Sequence, residues 1–152
     1  MTERALAFRW WTSPAAALAL LANAVCADPL PQQLDVPPGK PVYMDFWASW
    51  CVPCAQSFPW LNSVQARFGD EIHVVGVNVD AHKKDAARFL QRFPATFALA
   101  YDPDGTLAQR YGLQGMPSAV LLSPDGTVLW QHSGFRAADI PDYEAAILSA
   151  LK

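Results

Sequence analysis

Two runs rich in β-branched and aromatic residues, over 42–47 and 72–79, are separated by a stretch whose apolar residues Phe58, Leu61, Val64 and Phe68 recur at three- and four-residue spacing. Two strands joined by a helix-length connection pair in parallel through a right-handed crossover. The first run is apolar throughout except for Asp45, as a central strand covered on both faces would be. This one unit restricts the chain to a layered α/β architecture.

The remaining elements follow from the same periodicities. Ala86, Phe89, Leu90 and Phe93 form a helical stripe that Pro94 ends, and Asp80 stands where a cap for that helix is expected. Residues 97–101 read as a short strand, after which Asp102-Pro103-Asp104-Gly105 turns the chain into a brief helix carrying Leu107 and Tyr111. Residues 118–122 and 128–132 flank Ser123-Pro124-Asp125-Gly126, where proline fixes its φ and glycine takes a positive one, the chemistry of a hairpin turn. Asp139 is expected to cap a last helix with Ile140, Tyr143, Ile147 and Leu151 on one face, and Pro59 is expected to kink the first helix. The order is β-α-β-α-β-α-β-β-α, giving a mixed central sheet with helices on both faces.

The N-terminal 27 residues differ in kind. Arg4 and Arg9 make a basic start, 15–25 is apolar, and small residues stand near Cys26-Ala27. This is the chemistry of a secretory signal cleaved before Asp28, leaving a proline-rich extended lead-in over 28–39 and one domain over 40–152. A retained anchor over 10–27 is the alternative, although the apolar stretch is shorter than the roughly 20 residues that a spanning helix needs. Lipidation at Cys26 is disfavoured by Val25 before it and Asn23 three positions before it. Cleavage takes the formal charge from −3 to about −4, because Arg4, Arg9 and Glu3 leave. With no concentrated basic face in the sequence, Lys83-Lys84 being only a pair, nucleic acid is not expected as a partner. The mature form is expected to have no membrane span.

Chemistry concentrates at Cys51-Val52-Pro53-Cys54, at the expected start of the first helix. Two thiols so spaced close a disulfide with little backbone movement, and a helix N-terminus stabilises a thiolate on the first sulfur. Zinc would need two of His73, His82 and His132, which fall on a strand, a helix start and a hairpin. Ala55 stands where covalent haem attachment needs a histidine. Asp45 is the other unusual residue, since an unpaired carboxylate in an apolar strand costs several kcal/mol or titrates high. A pairing with Lys40, or a cap at the strand end, is the plainer alternative.

The segment from Val42 through Asp45, Trp47, Trp50 and Cys51 to Cys54 resembles the active-site segment of the thioredoxin superfamily. More narrowly, 74–80, 101–105 and the stretch from Tyr111 through Gly115, Met116 and Pro117 to Ser118 resemble the exported TlpA/ResA-like thiol-disulfide oxidoreductases. That resemblance implies a thioredoxin fold with a TlpA-like insert. It also implies an attacking thiolate at Cys51 with its sulfur toward solvent, and a buried resolving thiol at Cys54. Asp45 would be the acid and base serving Cys54, a position where many TlpA-like sequences carry asparagine. Pro117 would be a cis-proline beside the cysteines, or in a plainer reading the start of a strand. Trp50, Val52, Pro53 and Met116 are the candidate substrate-contacting residues, while Trp47 and Trp60 are expected in the core. No cofactor or metal is implied. The expected function is periplasmic reduction of protein disulfides, with apocytochrome c or copper-site cysteines as clients and a DsbD-type membrane reductase as the electron source. Two rivals stay open: a copper-delivery module using the two thiols, and Met116, as ligands, and a non-catalytic binding module in which the disulfide is a staple.

Overall fold

The computed structural model describes residues 34–152, so the expected signal and Cys26 lie outside the described residues. Five strands, β1 Val42–Trp47, β2 His73–Asn78, β3 Ala98–Tyr101, β4 Ser118–Leu122 and β5 Val128–Ser133, form one sheet in the order β3-β2-β1-β4-β5. β1, β2 and β3 run parallel, β4 is antiparallel to β1, and β5 is antiparallel to β4. The helices are α1 Val52–Phe68, α2 Lys83–Arg92, α3 Thr106–Arg110 and α4 Ile140–Ala150. This is the mixed, helix-flanked sheet that the periodicities predicted. α1 continues through Pro59 as one uninterrupted element.

The central position of β1 follows from its composition: all six of its residues are buried. Alternate side chains go to opposite faces. Tyr43 and Trp47 pack with α1, α2 and α4 through Phe58, Leu61, Val64, Phe89, Tyr143 and Ile147. Val42, Met44 and Phe46 pack with α3 through Leu107 and Ala108. Leu34, in the part of the lead-in that is described, joins this second core at 3% exposure, and Val36 packs beside it. Asp45 therefore faces α1. The register sets Gly76 opposite it on β2, and a Cβ there would come within 2.8 Å of the Phe97 ring and 3.1 Å of the Trp47 indole nitrogen. The glycine inside an otherwise β-branched strand is thus a place of close approach.

Two expected caps differ. Asp80 does not cap α2, whose N-cap is His82 with no side-chain cap bond. The Asp80 carboxylate is instead occupied by Ser49, 31 residues away. Asp139 holds the N-cap position of α4 without a side-chain bond, because a short 3₁₀ turn over Ala137–Asp139 leads straight into the helix. Asp102 does act as a cap for α3, accepting from Leu107 N–H at 3.1 Å and Ala108 N–H at 2.9 Å.

Candidate active site

α1 begins at Cys51, which occupies the N-cap position with extended backbone, and Pro53 lies in the first turn, where its missing N–H costs nothing. The Cys51 sulfur accepts from the Cys54 N–H at 3.2 Å. No acidic side chain lies in the first turn to offset the positive helix terminus at this sulfur. Both features place positive potential at this sulfur. Cys51 and Cys54 are joined as a disulfide, with Cα atoms 5.3 Å apart.

Cys51 is less open than the sequence suggested. It keeps 4% of its surface and Cys54 none. The disulfide itself turns the first sulfur toward the second, and both residues join the core cluster beneath α1. The outermost groups are the flanking side chains: Trp50 is 68% exposed, Val52 75%, and Pro53 is also exposed. Trp47 and Trp60 are buried.

Met116–Pro117 is a cis peptide, with Pro117 buried and Met116 half-buried. The register sets Ser118 opposite Phe46, which brings this peptide to the end of β1 from which the chain departs toward Cys51. The Pro117 carbonyl accepts from Gly134 N–H at 2.8 Å.

Asp45 is 4% exposed, and burial pushes its carboxyl up to about 8 from the ordinary value of 3.8. A hydrogen bond from Ser57 opposes this only in part. Lys40 is not its partner. Ser57 Oγ lies 3.4 Å from Asp45 Oδ2 and 3.1 Å from the Cys54 carbonyl, so it links the carboxyl to the backbone of the inner cysteine. A hydroxyl has one proton to give. With Asp45 neutral, the carboxylic acid donates to Ser57 and Ser57 donates to Cys54 O; with Asp45 ionised, the serine proton is drawn to the carboxylate. Sequence reasoning passed over Ser57. Its only signal is its place one turn after Cys54 on the inward face of the helix.

Asp80 was also missed as part of the site. Its carboxylate accepts from Ser49 N–H at 2.9 Å, from the Ser49 hydroxyl at 2.9 Å and from the Asn78 amide at 2.8 Å, and the Asp80 residue is only 6% exposed. Together with the Val79 N–H to Trp47 carbonyl bond, this lashes the end of β2 to the loop that presents Trp50 and Cys51. Asp80→Ala strips three donors of their acceptor and is expected to cost about 2–4 kcal/mol. Thermal melting of the oxidised protein checks this, and a melting temperature unchanged within a degree would show that the loop holds itself.

Among the described residues there is no group of three or more His, Cys, Asp or Glu arranged to hold a metal ion. His73 bonds the Pro37 carbonyl, while His132 bonds the Tyr143 hydroxyl and stacks on Trp130.

Comparison with known proteins gives three kinds of match. The family model Redoxin matches residues 7–147. Among curated relatives, Thiol:disulfide interchange protein DsbE of Escherichia coli (strain K12) is 33% identical over 97 residues, covering 63% of this chain and 51% of that protein. Thiol-disulfide oxidoreductase ResA of Bacillus subtilis (strain 168) is 29% identical over 92 residues, covering 60% and 51%. The chain thus spans about half the length of the curated relatives it matches. Among solved structures, that of a putative Thiol:disulfide interchange protein DsbE from Chlorobium tepidum superposes with a TM-score of 0.72 at 50% identity, covering 75% of this chain and 82% of that one.

Proposed function

The chain belongs to the Redoxin family, with the TlpA/ResA-like members of the thioredoxin superfamily as its nearer kin, and from that premise we propose that it is a thiol-disulfide oxidoreductase working through Cys51 and Cys54. The observation that carries the proposal is the cysteine pair itself: a closed disulfide at a helix N-terminus with no acid in its first turn, on a sheet that also carries a cis-proline before β4 and a buried carboxyl on β1 linked through Ser57 to the Cys54 carbonyl. In the reduced protein a thiolate at Cys51 attacks one sulfur of a partner disulfide, and the other partner sulfur leaves as a thiolate. Cys54 then loses its proton and attacks the Cys51 sulfur, releasing the partner's second thiol. Two electrons have passed to the partner and the protein holds its own disulfide. Asp45 takes the Cys54 proton through the polar surroundings of Ser57 and returns it when the protein is recharged. Trp50, Val52 and Pro53 supply the apolar contact for the partner, and the Met116 backbone is the pairing edge for its extended segment.

The direction proposed is reduction of protein disulfides outside the cytoplasm, with cysteine pairs of apocytochrome c or copper-site proteins as clients and a DsbD-type membrane reductase restoring the dithiol. The names of the relatives and the signal-like residues 1–27 support this reading. Among the described residues no helix is long and apolar enough to cross a membrane. Export then predicts a mature chain beginning at or near Asp28 and carrying only Cys51 and Cys54 as thiols after reduction. Intact mass and thiol titration decide it: a product that keeps Cys26, or that bears a diacylglycerol, contradicts cleavage at this point. The activity itself is tested by following reduction of a neutral small disulfide by the dithiol protein. Rapid exchange that disappears in Cys51→Ser supports it, and no exchange refutes it.

A further inference from the structure

The sequence shows Lys83-Lys84 only as a pair, but α2 gathers Lys83, Lys84, Arg88 and Arg92 on a single helix against one acid, Asp85. All four basic residues are exposed, and by helical rotation Lys84, Arg88 and Arg92 share one side. A hollow of about 480 Å³ lies where this helix meets the loop before the disulfide, lined by Ser49, Asp85, Arg88, Phe89, Gln91 and Arg92. Ser49 is two residues before Cys51, so one wall of the hollow is the loop that leads to the disulfide. Two acids adjoin it and both are bonded, one of them to Arg88, so the surplus positive charge rests chiefly on Arg92 and the lysines of α2. Asp85 bonds Arg88, and Asp80 lies beneath the loop with its oxygens taken by Ser49 and Asn78. Among the described residues no ion pair engages Arg92; its guanidinium lies 5.4 Å from the Phe93 ring centre.

On the reading of the chain as an oxidoreductase, we infer that the hollow between Ser49 and α2 is a recognition subsite for an acidic polypeptide segment, one that carries carboxylates within about two to five residues of the partner's reactive cysteine. Ser49 lines the hollow two residues before Cys51, so an extended partner chain leaving the disulfide reaches it within a few residues, at about 3.3 Å per residue. Exposed apolar Trp50 and Val52 hold any partner near the disulfide, whereas the two guanidiniums choose among partners and speed their encounter. The protein as a whole is acidic, so a locally basic patch beside the loop that leads to the disulfide orients an acidic partner in a way that the net charge of −3 would not.

The test uses the reduced, full folded protein and its Arg88→Gln/Arg92→Gln double variant against three substrates. These are hydroxyethyl disulfide, a disulfide-bonded peptide with three glutamates flanking its cysteine, and the same peptide with glutamines. The parent is expected to reduce the glutamate peptide about tenfold faster than the glutamine peptide at low ionic strength. Both the double variant and added salt should abolish that preference, while the rate on hydroxyethyl disulfide stays the same in parent and variant. Equal rates on the two peptides, with the neutral disulfide still reduced, overturn the subsite and leave the activity standing. Failure to reduce even hydroxyethyl disulfide overturns the activity. A charge preference that survives the double variant also refutes the assignment to α2, as does Arg-dependent binding to anionic phospholipid vesicles without any peptide preference.

Discussion

Cys54→Ser is expected to turn the protein into a trap, accumulating mixed disulfides through Cys51 because the sulfur that would resolve them is gone. Cys51→Ser should trap at least about tenfold less. The asymmetry is positional. Cys51 is the helix N-cap, its sulfur accepts an amide hydrogen bond, and its neighbours Trp50 and Val52 stand in solvent. Cys54 lies one turn inside, with no exposed surface. Adducts from cell-envelope extracts, identified by mass spectrometry, measure the ratio and name the clients. Equal trapping by both variants would mean that the inner thiol reaches partners as well as the outer one does, and the assignment of roles would fall.

Asp45→Asn carries the second large expectation, one of opposite sign for stability and for rate. The carboxyl titrates near 8 in the folded protein and near 3.8 when unfolded. The folded chain therefore keeps a proton that the unfolded chain releases, and stability falls as pH rises from about 4 to about 8, then levels off. Asparagine does not ionise. The variant should match the parent near pH 4 and exceed it at pH 8–9 by an amount on the order of several kcal/mol, seen as a higher melting temperature. Resolution of the mixed disulfide should slow by about tenfold or more near neutral pH and lose the inflection near pH 8, while the first attack by Cys51 is spared. If the stability gap does not depend on pH, Asp45 is not the buried acid described. If the stability behaves as expected but the resolution kinetics are unchanged, the carboxyl is structural and passes no proton.

What could be read in the sequence was what local pattern determines. β1 and the helix after it are marked by a run of buried residues and by the spacing of Phe58, Leu61, Val64 and Phe68, and each forms where those patterns place it. Asp45 stood out because a carboxylate contradicts its strand. What escaped was non-local. Asp80 has the look of a helix cap because an acid before a helical stripe usually is one, yet its carboxylate is claimed by a loop 31 residues earlier. Ser57 is marked only by its place one turn after Cys54, and a small polar residue there is unremarkable until the strand beneath it supplies a carboxyl. The burial of Cys51 depends on packing that no spacing encodes. The basic side of α2 lies between these cases: its residues are dispersed in sequence, and only the helical turn brings Arg88 and Arg92 together beside Ser49.

The central claim, that the Cys51–Cys54 pair cycles as a reductant of other proteins, is tested most directly by its reduction potential, from equilibration with glutathione and quantification of the two redox forms. A working reductant is expected between about −200 and −300 mV, low enough to pass electrons to client disulfides and high enough to be recharged. A value near −120 mV would make it an oxidant, and a value well below about −300 mV without exchange on any disulfide would make the bond a structural staple. Either result would contradict the account.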